Sequence, residues 1–520
     1  MTTVASCPGK VLLAGGYLVL DRQYRGFVVS TPSRFYTVVR NAANSTNATP
    51  STSGEVDESF PIKVVSPQFD DGRWDFVAKR EGGQWRVDPV VREGSSSNPF
   101  VHLSVQATLQ LASALQPDAT FAPLDITIVG SNDFYTQSRE DTAPRPFAPL
   151  NCTIRNVHKT GLGSSAAMVT SLTSSLFLHW TAGASSADTE TALSEAPTSS
   201  RLPGPDAATT QLLHNLAQYV HSLAQGKIGS GFDVSAAVYG SQTYRRFAVE
   251  CLSDLLDRGS SPVLADELVK VLAPGQNAAW SDEATSGSVT PFALPPHTLL
   301  LLADVDAGSN TPSMVGKVMQ WKKAQPADAD RVWNEVARAN EGVRDACAAL
   351  TAAARKDEKA YVDEICRLAS ISASEWSSSI LPVRAAMESI LRTRALMREM
   401  GEASDVPIEP REQTRLLDAC SALPGVVGAG VPGAGGYDAV WVLCLDPASS
   451  PSTHASEDNS ARPVAAVEAL LRSYKEMSVG PLSQSAWVRG GTFEGEAGLL
   501  RERLEEVPGL VQAIERAGRY

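Results

Sequence analysis

The sequence predicts a two-domain protein that mixes helices with strands, and three observations carry that expectation. The chain is 520 residues long, more than a single domain ordinarily spans. Gly275 to Pro296 combines Gly, Ser, Thr and Pro, the composition of a hand-over between domains, so residues 1–285 are assigned to the first domain and 286–520 to the second. The two sides also differ in periodicity, with short strand-like runs prominent before that stretch and apolar residues at helical spacing after it.

In chain order, Val11 to Leu20 and Arg34 to Val39 read as strands, the second rich in β-branched and aromatic residues. Asn41 to Ser59, full of Ser, Thr, Asn and Gly, reads as a surface excursion. Ile62 to Val65, Trp74 to Val77 and Trp85 to Val91 are short strand candidates, Phe100 to Leu115 is helical, and Leu124 to Val129 alternates as a strand. Cys152 to Val157 also alternates and predicts a strand, followed by a glycine turn and a helix from Met168 to Trp180. Gly183 to Pro205 has the composition of an inserted loop, and Leu212 to Leu223 is amphipathic at helical period. Beyond the hand-over, Thr298 to Val305 is a buried-strand candidate. Pro312 to Lys323, Asp330 to Arg355, Leu381 to Met400 and Glu412 to Ala422 read as helices. Gly425 to Gly436 is a second glycine-rich turn that feeds the strand Tyr437 to Leu445; a polar loop, Ala448 to Arg462, and a helix from Val464 follow. No repeat of about 20 to 50 residues is visible.

Composition excludes several classes. A net charge of −13 argues against a broad nucleic-acid surface, so an anionic ligand must meet locally gathered cations. Seven cysteines without a C-x-x-C pair or a His/Cys cluster indicate neither a disulfide framework nor a structural zinc site. No stretch reaches membrane-span length and the N-terminus lacks a signal-like apolar region, which leaves a cytoplasmic protein with no membrane partner as the expectation.

Four separated stretches carry the chemistry. Cys7-Pro8-Gly9-Lys10 opens a strand with a lysine, although a lysine there is ordinarily just solvated. Lys159-Thr160-Gly161-Leu162-Gly163-Ser164-Ser165-Ala166 is a glycine turn before a helix, whose free amides and partial positive charge favour phosphate. It also fits the loose dinucleotide pattern G-x-G-x-x-A, but the acid at suitable distance, Asp188, sits in a Ser/Thr-rich loop rather than at a strand end. Gly226-Lys227-Ile228-Gly229-Ser230-Gly231-Phe232-Asp233 sets an aspartate in the first turn of a short helix, where a plain helix-end carboxylate is the ordinary role. Gly428 to Asp438 is the late glycine loop. Neither a P-loop nor the protein-kinase H-R-D and D-F-G set occurs.

Taken together and in this order, the four stretches resemble the GHMP kinase family over nearly the whole chain, and within it the fungal type that acts on 5-phosphomevalonate. The resemblance implies an α+β, two-lobed architecture: an N-terminal domain like ribosomal protein S5 domain 2 and a ferredoxin-like C-terminal domain. It implies an ATP- and Mg²⁺-dependent kinase making 5-diphosphomevalonate on the route to isoprenoids and sterols. Carried over by residue, Lys10 and Asp233 would flank the reacting oxygen as the catalytic pair. Lys159 with Gly161, Leu162, Gly163, Ser164, Ser165 and Ala166 would hold the nucleotide, and Ser165 would approach the metal. Lys10, Tyr17, Ser230, Gly231, Asp233, Gly433 and Gly435 would face the acceptor.

Two departures from the family pattern stand out. Many relatives have Glu where this chain has Gly16, which leaves Tyr17 as the candidate acceptor contact there. Relatives also place a carboxylate for the metal on the helix before the aspartate stretch, yet Leu212 to Gln225 contains no Asp or Glu. Lys159, Lys227, Arg245 and Arg246 adjoin these stretches as possible acceptor-phosphate cations; if Arg245 and Arg246 lie on a strand, alternation turns at most one to the cleft. Ser309-Asn310-Thr311 is a further possible phosphate cap or a plain helix N-cap. His214 and His221 share one helix face, as packed histidines commonly do. Two alternatives stay open: another small-molecule kinase of the family, mevalonate kinase foremost, and a relative that senses ligand without turnover, against which the presence of both Lys10 and Asp233 counts.

Overall fold

A computed structural model of the chain describes residues 1–42, 58–92, 96–136, 145–182, 201–259, 263–280, 289–305, 311–447, 462–491 and 497–519. The loops expected at Asn41 to Ser59, Gly183 to Pro205 and Ala448 to Arg462 fall largely outside these residues, as do the middle of the hand-over stretch and the Ser309-Asn310 cap.

The first lobe opens with β1 (Thr2–Ala14) and β2 (Gly26–Asn41), followed by β3 (Ser59–Val65), β4 (Arg73–Glu81) and β5 (Gln84–Pro89). Then come α1 (Pro99–Leu115), β6 (Leu124–Gly130), α2 (Ser164–Thr181), β7 (Arg201–Leu202), α3 (Ala207–Gln225) and α4 (Phe232–Tyr239). β8 (Gln242–Tyr244), α5 (Glu250–Leu256), α6 (Ala265–Leu272) and β9 (Val289–Pro291) complete this part of the chain. The second lobe begins at β10 (Thr298–Val305), with α7 (Thr311–Ala324), α8 (Pro326–Lys356), α9 (Glu358–Ala369), α10 (Val383–Ser404) and α11 (Arg411–Ser421) after it. β11 (Val426–Gly430), β12 (Ala439–Leu445), α12 (Pro463–Ser473), β13 (Val479–Pro481), β14 (Val488–Arg489), β15 (Leu500–Glu502) and α13 (Leu510–Ala517) end the chain.

The fold is α+β. One sheet runs β5-β4-β3-β6-β2-β1-β15-β7 with β8 on β2 and β9 on β8, and β3 and β6 pair in parallel. The other runs β11-β12-β10-β13, with β14 also on β10. Leaving β14 aside, helices follow the first and third of these strands in chain order, β10 and β12, which is the βαββαβ arrangement of a ferredoxin-like sheet. The segment assigned to the second domain includes two strands that pair into the first sheet. β9 lies on β8, and β15 lies on β1, where Ala5 faces Arg501. Leu510, Ala513 and Ile514 of α13 bury against Val4, Val38 and Val129, so the chain's end packs on the first lobe.

Three local expectations need correction. Val11 to Leu20 is not one strand: β1 stops at Ala14, Gly15 turns at φ 111°, and Leu18–Leu20 is a 3-10 turn. The chain must turn there because a Cβ on Gly15 would lie 2.6 Å from Gly26 Cα on the paired strand. Cys152 to Val157 forms turns, not a strand, because its backbone is satisfied locally: Ile154 N donates to Asp71 Oδ1 at 2.9 Å and Asn156 N to Thr153 O at 3.0 Å. Gly428 to Gly430 lies inside β11 rather than in a turn. Side chains there would strike Ile390 and the Trp441 ring, so small residues let a helix and an indole cross the strand closely.

Candidate active site

The site is built around a bulge. Pairing of β1 with β2 slips between Pro8 and Lys10, and the irregularity re-aims the lysine. Lys10 N donates to Leu162 O at 2.9 Å and its Nζ to Gly161 O at 2.8 Å, so backbone and side chain both lie against the glycine turn. Gly163, at φ 78°, leaves room for that: a Cβ would sit 2.9 Å from Lys10 Cε. The Phe232 ring lies 5.4 Å from Nζ. Desolvation pushes the Lys10 ammonium below its ordinary range, while the carboxylates of Asp233 and Asp438 push it back up. Asp233 is thereby electrostatically coupled to Lys10. Asp438, at the end of the late glycine loop, is a second carboxylate on Lys10 that the sequence pattern does not single out.

Two helices open toward this lysine in the same way. α2 follows Gly163 at φ 78° and α4 follows Gly231 at φ 78°, each left-handed and neither with a side-chain cap. By contrast, Asn98 caps α1 and Asp206 caps α3 through their side chains. A glycine start supplies no side-chain cap to the first-turn amides; in α4 Val234 N turns to Asp233 Oδ1 at 3.0 Å, whereas the start of α2 keeps the open amides that suit an anionic ligand. Asp233 stands half-buried in the first turn of α4, and Ser164 and Ser165 in that of α2. Leu162 and Ala166 are buried in the first-lobe core and anchor the turn, while Lys159, bridged to Tyr135, is exposed.

The loop from Ile228 to Gly231 is pinned by its carbonyls. Gln218 Nε2 donates to Gly231 O at 2.7 Å, Tyr244 Oη to Ser230 O at 2.7 Å, and Arg246 Nη2 to Gly229 O at 2.6 Å and Ile228 O at 3.3 Å. Arg246 Nη1 also holds Leu20 O at 2.7 Å, and Arg245 Nε holds Arg22 O at 2.6 Å. The strand alternation expected for the two arginines does not apply, since β8 ends at Tyr244 and both guanidiniums bind main-chain carbonyls. Sequence reasoning missed this clamp because arginines beside a glycine motif look like ligand cations.

His221, one turn from the end of α3, accompanies the start of α2. Its Nε2 lies 3.1 Å from Ser165 Oγ and 3.1 Å from Gln225 Nε2. Burial pushes this imidazole below its ordinary range and Asp233 pulls it up. Its shared face with His214 was visible in the sequence, but not its contact with Ser165.

Two cavities flank these residues. One of about 930 Å³ is lined by Ser97, Asn98, Lys159, Ser164, Ser165 and Met168, so it runs from the glycine turn to the start of α1, which sequence reasoning did not include. The other, about 520 Å³, lies between the lobes beside Gly16, Gly433, Arg394, Glu409 and Trp441. Arg394 and Glu409 are buried and pair through two bonds of 2.7 and 3.0 Å. Tyr17 is buried and its hydroxyl donates to Ala434 O at 2.9 Å. Gly16 has a spatial reason: a Cβ there would lie 2.4 Å from Gly433 O, so no glutamate fits unless that loop moves. Gly435 is equally required, with its would-be Cβ 2.0 Å from Ile408 O. The structure therefore gathers Lys10, Gly161, Leu162, Gly163 and Asp233 closely, whereas Tyr17, Gly433 and Gly435 form the wall between the lobes.

No family model matches the chain. The phosphomevalonate kinase of Aspergillus fumigatus is 37% identical over 468 residues, covering 85% of this chain and 87% of that protein. The peroxisomal phosphomevalonate kinase of Arabidopsis thaliana is 34% identical over 498 residues, covering 88% and 92%. Among solved structures, Streptococcus pneumoniae phosphomevalonate kinase in complex with phosphomevalonate and AMPPNP aligns over 94% of this chain and 99% of its own, with a TM-score of 0.54 at 13% identity, a likeness of fold.

Proposed function

The chain belongs to the phosphomevalonate kinase family, and from that premise we infer how its own residues carry a phosphoryl group from ATP to 5-phosphomevalonate, giving 5-diphosphomevalonate and ADP in the mevalonate route to isoprenoids and sterols. The observation that supports the assignment of residues is Lys10, drawn across the Gly161–Gly163 turn and coupled to Asp233 between two glycine-started helices.

In this reading Gly161 to Ala166, with Lys159, hold the ATP phosphates at the start of α2, and the adenosine occupies the cavity that reaches Asn98 at the start of α1. Ser230, Gly231 and Asp233 face the acceptor from α4, while Tyr17, Gly433 and Gly435 shape the opposite wall. Mg²⁺ fits the residues present. No three His, Cys, Asp or Glu side chains converge on a metal site among the described residues, and Mg²⁺ ordinarily takes few protein oxygens beside waters and substrate phosphates. Ser165 Oγ would hold it on the protein side. The chemistry supplied by a bound ion there would be neutralisation of phosphate charge.

The acceptor sets the roles of Lys10 and Asp233. A phosphate monoester has its second pKa near about 6, so at neutral pH the attacking oxygen is already mostly deprotonated. The barrier is then repulsion between two polyanions, which the Lys10 ammonium and the open amides at the start of α2 offset. Asp233 keeps Lys10 charged against its desolvation and orients it, rather than serving chiefly as a proton acceptor. We place the enzyme in the cytoplasm; all seven of its cysteines are free, and no described helix is long and apolar enough to cross a membrane.

An ADP-release assay across mevalonate, phosphomevalonate and diphosphomevalonate tests the substrate assignment. Turnover is expected with phosphomevalonate. Preference for mevalonate would move the chain to the alternative kinase reading, and ADP release with none of the three would make it a non-catalytic relative.

A further inference from the structure

We propose that His221 is a positioning residue for the nucleotide site: its Nε2 accepts the Ser165 hydroxyl proton and so turns the serine's lone pairs outward to the metal–nucleotide complex. The inference rests on the metal-side role given to Ser165 above.

Its basis is the bonding at one nitrogen. Gln225 Nε2, an amide that can only donate, lies 3.1 Å from His221 Nε2, so that ring nitrogen carries a lone pair and the ring proton sits on Nδ1. Ser165 Oγ, 3.1 Å from the same nitrogen, then donates to that one lone pair too, sharing it with the amide in a three-centre bond. A serine hydroxyl has one proton and two lone pairs, and an unrestrained one rotates among three staggered positions. With the proton held by His221, both lone pairs are left for a cation. With the opposite tautomer the imidazole would use one of those lone pairs and leave the hydroxyl proton pointing outward.

The ring itself is held. His221 and Gln225 are four residues apart on one face of α3, the imidazole is buried, and the Phe100 ring stands 5.8 Å away. α3 has no acidic residue from Leu212 to Gln225, so the group it presents beside Ser165 is an imidazole and an amide rather than a carboxylate that would bind the metal directly. The nearby charge is that of Asp233 on α4.

The test is calorimetric binding of AMPPNP to the intact protein, with Mg²⁺ and with EDTA, for wild type, Ser165→Ala, His221→Ala, His221→Gln and the Ser165→Ala/His221→Ala double variant, each checked for an unchanged unfolding midpoint. In His221→Ala the Mg²⁺-dependent affinity should fall about tenfold, the scale for partners that orient a metal ligand, while affinity in EDTA stays within about twofold. The double variant should be no weaker than Ser165→Ala, since one pathway is lost twice. His221→Gln, which can offer a carbonyl oxygen to the hydroxyl, should recover most of the loss and covers the case in which the alanine variant is unstable. Equal weakening with and without Mg²⁺ would reduce His221 to packing and overturn the proposal. So would a normal His221→Ala beside a defective Ser165→Ala, which leaves the metal reading standing. A normal Ser165→Ala would sink the metal reading itself, and the inference with it.

Discussion

Helices α2 and α4 begin alike, each after a left-handed glycine at φ 78° with no side-chain cap, yet the two turns are held by different means. The Gly161–Gly163 turn is fixed mainly by the neighbouring strand: Leu162 O and Gly161 O take the backbone and side-chain N–H groups of Lys10, and Leu162 anchors in the core. The loop from Ile228 to Gly231 is fixed from its carbonyl side by Gln218, Tyr244 and Arg246. The Gly161–Gly163 turn is thus tied to Lys10, so perturbing one moves the other. The Ile228–Gly231 loop has its own scaffold, built from side chains that bond its carbonyls rather than Lys10.

Lys10→Met should break the first arrangement most severely. Loss of the ammonium removes charge stabilisation and the side-chain bond to Gly161 O, while the backbone bond to Leu162 O stays, and kcat should drop about 10³-fold, the scale of one lost transition-state donor. Asp233→Asn should retain more activity than Lys10→Met, and its residual rate should rise as pH passes through the acceptor's second pKa near about 6. Comparing pH–rate profiles on phosphomevalonate checks this. If the two variants are equally inactive at about pH 8, an orienting role for Asp233 is insufficient and proton removal must be restored to it.

Arg246→Met isolates the second arrangement. Releasing Gly229 O, Ile228 O and Leu20 O should raise KM for phosphomevalonate about tenfold, a cost of about 1.4 kcal/mol, with AMPPNP affinity unchanged. Weakened nucleotide binding in a folded Arg246→Met protein would show that the two loops are not independent.

A smaller contrast separates the glycines themselves. Gly163→Ala and Gly231→Ala both force a side chain into left-handed backbone, worth about 1–2 kcal/mol of stability. At Gly231 the new methyl also meets the Phe247 ring at 2.7 Å, Gln218 at 2.9 Å and Tyr244 at 3.0 Å, whereas at Gly163 it meets only the flexible Lys10 chain. Urea unfolding should therefore rank Gly231→Ala as the less stable of the two, while Gly163→Ala loses activity through displaced Lys10. The reverse ranking would show that the acceptor loop yields more easily than its clamp implies. Least effect is expected from shortening residues 183–205 to a few Gly and Ser. These lie between α2 and α3, their described strand is only the two-residue edge strand β7, and loop length changes closure entropy slowly, so activity should stay within about twofold. Lost activity in a folded deletion protein would make the segment part of the substrate site.

Much of this architecture was legible in one dimension. Helices at Phe100 to Leu115, Asp330 to Arg355 and Leu381 to Met400, and strands at Leu124 to Val129 and Thr298 to Val305, lie where their apolar periods put them, because periodicity reports which face a segment buries. The glycine stretches around Gly163 and Gly231 were legible for a related reason, since left-handed turns of this kind restrict the residue locally. Cys152 to Val157 misled because alternation marks a strand only if a neighbouring strand takes its backbone bonds, and here Asp71 and a local turn take them.

Local order by itself determined where Lys10, Gly161 to Ser165 and Asp233 fall and which elements follow them. Only the tertiary structure decided that Lys10 would lie across Gly161, that Arg246 would clamp Gly229 instead of facing the cleft, that His221 would meet Ser165, and that β15 would return to pair with β1. The reason is physical. A turn or a helix face depends on nearby residues. Which distant carbonyl an arginine or lysine satisfies depends on how whole elements stack, since a largely buried polar group takes the partner that packing brings within reach.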